Sequence, residues 1–191
     1  MDFEFNEQQK MYQAEVRRVV KNKLLPLVER YPKDKPLPKK AILEGIQIIK
    51  PLGALGCRIP QADGGSGMDY VSYGILQEEL GTMRSGLGGN ESVATRIYRS
   101  NSEDVKNRFL PVLLSGEKIA ASATSEPEVG SDPRGIQTKA VPVGNEYVVN
   151  GTKTWCTSGT VCDILLCQVS LGRDERGRNL ITRLVIDREK S

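Results

Sequence analysis

Two short stretches gather the residues of this 191-residue chain that are best suited to holding a ligand. Ala121 to Asp132 reads Ala-Ser-Ala-Thr-Ser-Glu-Pro-Glu-Val-Gly-Ser-Asp, and Gly151 to Gly159 reads Gly-Thr-Lys-Thr-Trp-Cys-Thr-Ser-Gly. Trp155 offers a broad aromatic plane, and Thr157 sets a hydroxyl two residues further on. In an extended strand such residues share a face, with Cys156 on the other. A plane beside a hydroxyl suits a flat ring with an apolar face and polar edge atoms. In the first stretch Pro127 cannot continue a central strand, so Ala120 to Ser125 reads as a strand running into a loop. Gly130-Ser131-Asp132-Pro133 then forms a turn whose N–H groups and hydroxyl suit polar, phosphate-bearing parts of a ligand. The two stretches read as two walls of one site.

The elements needed to place these walls follow from periodicity. Residues 6–117 carry apolar side chains at helical spacing. Met11, Val16, Val19, Val20 and Leu24 line a first helix expected to end near Pro26. Ala41–Leu55 is a helix that Pro51 kinks or interrupts, and Val71, Ile75, Leu76 and Leu80 mark another that stops at Gly81. Leu87–Tyr98 and Asn101–Leu114 complete the helical part, with Ser102 as N-cap. From Lys118 the pattern turns to short strands at 118–125, 135–141, 146–150, 153–157, 163–170 and 180–187. Asn150-Gly151 is the hairpin signal among them. Gly64-Gly-Ser-Gly67 lacks the spacing of a phosphate-cradling loop and reads as a tight turn.

Composition narrows the chemistry. With no histidine, Ser-His-Asp and Cys-His catalysis and most catalytic zinc sites are excluded. Cys57, Cys156, Cys162 and Cys167 have no Cys-x-x-Cys spacing and read as buried, reduced thiols in strands. A net charge of +3 gives no nucleic-acid footprint, and no apolar run approaches the ~20 residues that span a bilayer. The acidic start, Met1-Asp-Phe-Glu, is unlike a basic leader, so a cytoplasmic location is expected.

The two stretches also resemble a known family, the acyl-CoA dehydrogenases. Ser125-Glu-Pro-Glu-Val-Gly-Ser-Asp132 is similar to their Thr-Glu-Pro-Gly-x-Gly-Ser-Asp signature, and Lys153-Thr-Trp-Cys-Thr-Ser158 to their Lys-x-Trp-Ile-Thr-Asn segment. Phe5-Asn-Glu-Gln-Gln9 resembles their first helix. Ile59-Pro-Gln-Ala-Asp-Gly-Gly65 resembles their Ile-Pro-Glu-x-x-Gly-Gly loop, and Phe109 to Lys118 their entry into the middle domain. The similarity runs in order along the whole chain. Glu128 and Val129 stand where the family has small residues, Cys156 where it has a β-branched one, and Ser122 where some members carry an aromatic.

The resemblance implies an α+β fold with an N-terminal α-helical domain over 1–117. A truncated antiparallel β-barrel domain over 118–191 would follow, with the family's C-terminal helical domain absent. It implies FAD as cofactor, with Trp155 stacked near the flavin, Thr157 bonded to its edge, and Thr124 and Ser125 serving the pyrimidine side. Ser131 would lie where flavin and thioacyl chain meet and bind both, and Ser122 and Cys156 would complete the cofactor-binding set. The implied reaction is α,β-dehydrogenation of an acyl-CoA thioester. A carboxylate removes the α-proton while hydride leaves the β-carbon for the flavin, and an electron-transfer flavoprotein or similar acceptor follows. The base belongs to the family's C-terminal domain, so this chain reads as a fragment or short subunit within a homo- or hetero-oligomer. The alternatives are a non-catalytic, flavin-binding or scaffolding partner subunit of a longer paralogue, and a flavin-independent helical-plus-β module. Glu126 and Asp132 are expected only to bond N–H groups of their own turns.

Overall fold

A computed structural model describes residues 4–81, 87 and 89–189, and the chain divides into two compact units, 1–119 and 120–191. Positions 1–3 of the acidic start, position 88 of the expected Leu87–Tyr98 helix, and residues 190–191 lie outside the described residues.

The first unit is helical. Helix α1 (Glu7–Val19) opens on a reciprocal cap: Asn6 Oδ1 accepts from Gln9 N, and Asn6 N donates to Gln9 Oε1. Its sequence has it end near Pro26, and the helical run passes that proline by three residues. A π turn, Val20–Leu24, carries it into α2 (Leu25–Glu29), with Pro26 in the first turn of α2. The wider turn accommodates a ring that would clash with a regular preceding turn and has no N–H to give. Val16, Val20, Leu24 and Leu27 thereby stay buried on one continuous face.

Helix α3 (Lys39–Ile49) buries Ala41, Ile42, Gly45, Ile46 and Ile49. Pro51 ends it by tightening Lys50–Leu52 into a 3₁₀ turn. Asp69 caps α4 (Tyr70–Gly81), its Oδ1 accepting from Val71 N and Ser72 N. Then come α5 (Gly89–Tyr98) and α6 (Glu103–Leu114), the latter capped by Ser102 Oγ on Val105 N. In the Gly64–Gly67 loop, Gly64 N, Gly65 N, Ser66 N and Gly67 N donate to Gln61 O, Pro60 O, Gly56 O and Ile59 O. With its N–H groups spent on its own carbonyls, the loop is a packing turn.

The second unit is a five-stranded sheet: β1 (Ala120–Ala123), β2 (Lys139–Val143), β3 (Glu146–Asn150), β4 (Ile164–Arg173) and β5 (Asn179–Asp187). It is mixed rather than antiparallel. β4 pairs in parallel with β1, from Ala120↔Ile164 to Ala123↔Cys167, and its far end meets β2 in parallel at Lys139↔Ser170. β5 runs antiparallel along the other edge of β4, and β2–β3 is an antiparallel hairpin. Strand runs read from sequence do not reveal direction. The long connection between β1 and β4 returns the chain in its starting sense, as a crossover must. The described strands form an open sheet, not a closed barrel.

Two further sequence expectations change. The hairpin turn is Gly144-Asn145, between the paired Val143 and Glu146, and Gly144 takes the positive φ (62°) that such a turn demands. Asn150-Gly151 instead ends β3. Residues 153–157 form no strand, because Trp155 (φ 56°) and Ser158 (φ 62°) adopt left-handed backbone. Ala123, Ala140, Cys167 and Val169 make the core of this unit, with Val149, Cys156, Leu165, Leu184 and Ile186 packed on it. Of the four thiols only Cys167 lies in a strand; Cys57 is buried in a turn, Cys162 is buried two residues before β4, and Cys156 is half-buried.

Candidate functional site

The chain leaves β1 at Ala123 and passes through Thr124 and Ser125 into Glu126-Pro127. Pro127 cannot continue the ladder, and the turn closes instead by two bonds, Glu126 N to Val129 O and Val129 N to Glu126 O. Ile136 follows the short Pro133–Gly135 turn, which Asp132 caps by accepting from Arg134 N. After β3, Gly151 passes so close to Thr138 that an added Cβ would lie 2.5 Å from its Oγ1 and 2.6 Å from its Cα. Only a glycine fits there, at φ +154°, and it sends Lys153 to Thr157 back alongside residues 124–126.

Glu126 organises this junction. Its carboxylate accepts from Gln137 N (2.7 Å), Thr138 N (2.9 Å), Thr138 Oγ1 (2.6 Å) and Lys153 Nζ (2.8 Å). Both partners of the ion pair are buried, with side chains 4% and 10% exposed for Glu126 and Lys153. Burial pushes the Glu126 carboxyl upward. The bonds from Lys153, Thr138 and the two backbone N–H groups outweigh it and hold the group down at about 2. Lys153 Nζ also donates to Thr124 O (3.1 Å), and Thr154 N donates to Ser125 O (2.9 Å). The two sequence stretches are therefore laced together over Thr124–Glu126 and Lys153–Thr154.

The expected site residues fall around this lacing. Thr124 and Ser125 are half-buried at its edge. Trp155 follows directly and stands 93% exposed, though it is the chain's one tryptophan. A left-handed conformation costs an ordinary residue about 1–2 kcal/mol, so an uncovered indole held that way gains nothing from the core. Thr157 is exposed as well. Cys156 goes the other way: it packs on the sheet core, and its Sγ donates to Ser122 O at 3.5 Å. The expected division, Trp155 and Thr157 apart from Cys156, holds without the strand that suggested it. Ser122 is tied to Cys156 through its carbonyl, and Ser131 sits exposed on the loop beyond Val129. Thr154 Oγ1, in the residue before Trp155, is buried with no hydrogen-bond partner among the described residues.

Lys153 and Thr154 were not singled out from sequence as site residues. A lysine amid threonines beside a tryptophan is the available signal, since a lysine that turns inward needs a carboxylate to meet it. Asp132 bonds Arg134 through its N–H and guanidinium, which lowers its carboxyl from the ordinary range. Among the described residues no cluster of histidine, cysteine or carboxylate side chains could hold a metal ion, and no helix is long and apolar enough to cross a membrane.

Comparison with known proteins bears on this geometry. The acyl-CoA dehydrogenase N-terminal domain matches residues 6–117, and the acyl-CoA dehydrogenase middle domain matches residues 121–191. Bovine mitochondrial isovaleryl-CoA dehydrogenase is 34% identical over 84% of this chain and 38% of its own length. An acyl-CoA dehydrogenase structure from Geobacillus kaustophilus superposes with a TM-score of 0.80 at 27% identity, over 99% of this chain and 50% of that one. A Mycobacterium smegmatis glutaryl-CoA dehydrogenase in complex with FADH2 gives a TM-score of 0.76 at 30% identity, over 96% of this chain and 46% of that one. The chain spans about half the length of the curated relatives it matches. With two domains matched in order and the laced signature segments lying in the second, the chain belongs to the acyl-CoA dehydrogenase family.

Proposed function

We propose that this chain provides the N-terminal and middle portions of an FAD-dependent acyl-CoA dehydrogenase, an oxidoreductase acting on acyl-CoA thioesters. The observation that carries this reading is the uncovered Trp155, held in left-handed backbone on a segment laced to Thr124–Glu126. The residues present fit an isoalloxazine. Trp155 gives a free aromatic plane, Thr157 an exposed hydroxyl two residues on, and Thr154, the residue before Trp155, a buried hydroxyl with no partner among the described residues. Thr124 and Ser125 bring the opposite wall into reach, and Ser131 lies on the loop that would meet the thioester. Bound there, the flavin would supply a hydride acceptor. The protein's part is to stack on the ring, present donors toward its edge, and exclude water from one side.

Neither Glu126 nor Asp132 is free to act as base. Glu126 is saturated by four donors and stays ionised, and Asp132 is committed to Arg134. We therefore propose that α-proton removal uses a carboxylate from outside residues 4–189, with an electron-transfer flavoprotein or similar acceptor downstream. The saturation of Glu126 equally supports a flavin-binding partner subunit that leaves the chemistry to a longer paralogue. FAD titration followed by acyl-CoA addition tests both. The chain should bind FAD, and Trp155→Ala should weaken that binding. The chain alone should not bleach the bound flavin with acyl-CoA, since a missing general base costs about 10²–10⁴ in rate. A chain that binds no FAD refutes the reading, and bleaching by the chain alone refutes the external base.

A further inference from the structure

We propose that the buried Glu126–Lys153 pair is a positioning device for the flavin-facing residues, and that its balanced charges set the reduction potential of a flavin held there. This inference rests on the FAD reading above and goes beyond it by assigning a role to two residues that touch no ligand themselves. Glu126 directly follows Ser125, and Lys153 precedes Trp155 by two. Three of the bonds that lace the two walls run through these residues or their immediate neighbours: Lys153 Nζ to Glu126 Oε1, Lys153 Nζ to Thr124 O, and Thr154 N to Ser125 O, with Cys156 Sγ to Ser122 O a further tie between the walls. Glu126 further ties both walls to Gln137 and Thr138.

A buried ion pair is a poor device for stability alone, because apolar residues of similar volume often serve as well or better. It is effective at fixing geometry. Lys153 can reach Thr124 O and Glu126 together only if the two segments keep one relative placement, and that placement decides how Thr124 and Ser125 stand to Trp155. The pair is also neutral as a whole. Reduction adds negative charge to a flavin, so a nearby uncompensated cation would favour the reduced form and an uncompensated anion would oppose it. Two charges buried beside each other, next to the residues that would touch the ring, therefore cancel in the wild type and act in opposite senses when one is removed.

The test uses the full chain reconstituted with FAD, reading the FAD dissociation constant and the reduction potential against a redox dye. Glu126→Gln leaves Lys153 charged and should raise the potential. Lys153→Met leaves Glu126 charged and should lower it. Each should also weaken FAD binding about tenfold, the loss of roughly one well-placed buried hydrogen bond. The double variant should return to near the wild-type potential while keeping the weakened binding, because charge balance is restored and the lacing is not. Should Glu126→Gln not fold, Lys153→Met and Lys153→Arg decide the matter, with arginine restoring the potential that methionine lowers. A merely structural pair would move both single variants the same way or leave the potential unchanged, and either result overturns the inference. A wild-type chain that binds no FAD overturns the reading beneath it, whereas normal FAD binding with unshifted variants overturns this inference alone.

Discussion

Acid should loosen the second unit through one identifiable group. Glu126 is held at about 2 against an ordinary 4.5, so its ionised form is favoured by folding. A carboxyl depressed in the folded state contributes stability above its unfolded pKa and loses it as pH falls toward the folded one. The difference here corresponds to about 3 kcal/mol at neutral pH. That contribution should be intact above pH 5, reduced by about 2 kcal/mol at pH 3 and nearly gone below pH 2. Glu15, Asp69, Asp132 and Asp174 are also lowered, by bonds to Arg18, to Ser72, to Arg134 and to Arg178 with its neighbours, so a single stability curve would mix them. Comparison with Glu126→Gln separates them, because the other four carboxyls titrate equally in both proteins. The assay is amide hydrogen exchange of peptides from β2 and β4, measured for both proteins at matched pH. Protection in the wild type should exceed that in the variant near pH 6, and the gap should narrow about thirtyfold by pH 3, the equivalent of 2 kcal/mol. A gap that stays constant over that range would show that Glu126 is not held low. The four-donor geometry would then be the wrong basis for its electrostatics.

Other outcomes follow from individual contacts. Trp155→Gly should stabilise the chain by about 1 kcal/mol while weakening FAD binding by about 1–3 kcal/mol, because it removes left-handed strain and the stacking plane together; calorimetry alongside FAD titration checks both signs. Gly151→Ala should destabilise the second unit by about 1–3 kcal/mol, since the new Cβ lies 2.5 Å from Thr138 Oγ1, and urea unfolding will show a lowered midpoint if that approach is real. In the helical unit, Glu91 is buried and bonded to Arg58 Nε (3.0 Å) and Thr95 Oγ1 (2.9 Å). Arg58→Met should cost about 3–5 kcal/mol by leaving that carboxylate without its cation, and a loss below about 1 kcal/mol in thermal unfolding would mark the pair as surface-like.

How far the sequence carries depends on whether a feature is local. The helices of residues 6–117 were legible because periodicity and caps are written within a few residues: Ser102 bonds Val105 N, and Pro51 ends α3 as a proline must. The π turn at Val20–Leu24 was not, because its cause is the tertiary demand that Leu24 and Leu27 stay buried past Pro26. Strand positions were largely readable, but strand directions were not. Parallel pairing of β1 with β4 depends on a connection of some forty residues, and nothing within either strand encodes it. The hairpin was misplaced for a different reason. Two glycine–asparagine pairs compete, Gly144-Asn145 and Asn150-Gly151, and only the contact with Thr138 shows that Gly151 serves close approach rather than a turn.

The candidate site shows the same division more sharply. Strand alternation put Trp155 and Thr157 on one face and Cys156 on the other; the structure leaves the first two exposed and packs Cys156 on the core, although the strand used to argue it does not exist. Alternation survived because the segment must still bury Cys156 against Ala123 and Cys167 while returning alongside β1. Glu126 was expected to bond N–H groups of its own turn; its carboxylate instead accepts from Gln137 N and Thr138 N, 11 and 12 residues on and outside any turn. Its fourth partner, Lys153, lies 27 residues away in sequence and could not be paired with it by any local rule. Yet that bond brings the walls together, and it exists only because Gly151 lets the backbone pass Thr138, which itself donates to Glu126. Glu126, Thr138, Gly151 and Lys153 thus depend on one another: a change at any of them displaces the rest. On the FAD reading, the exposed indole is the part that meets a ligand, and this buried quartet fixes where it stands.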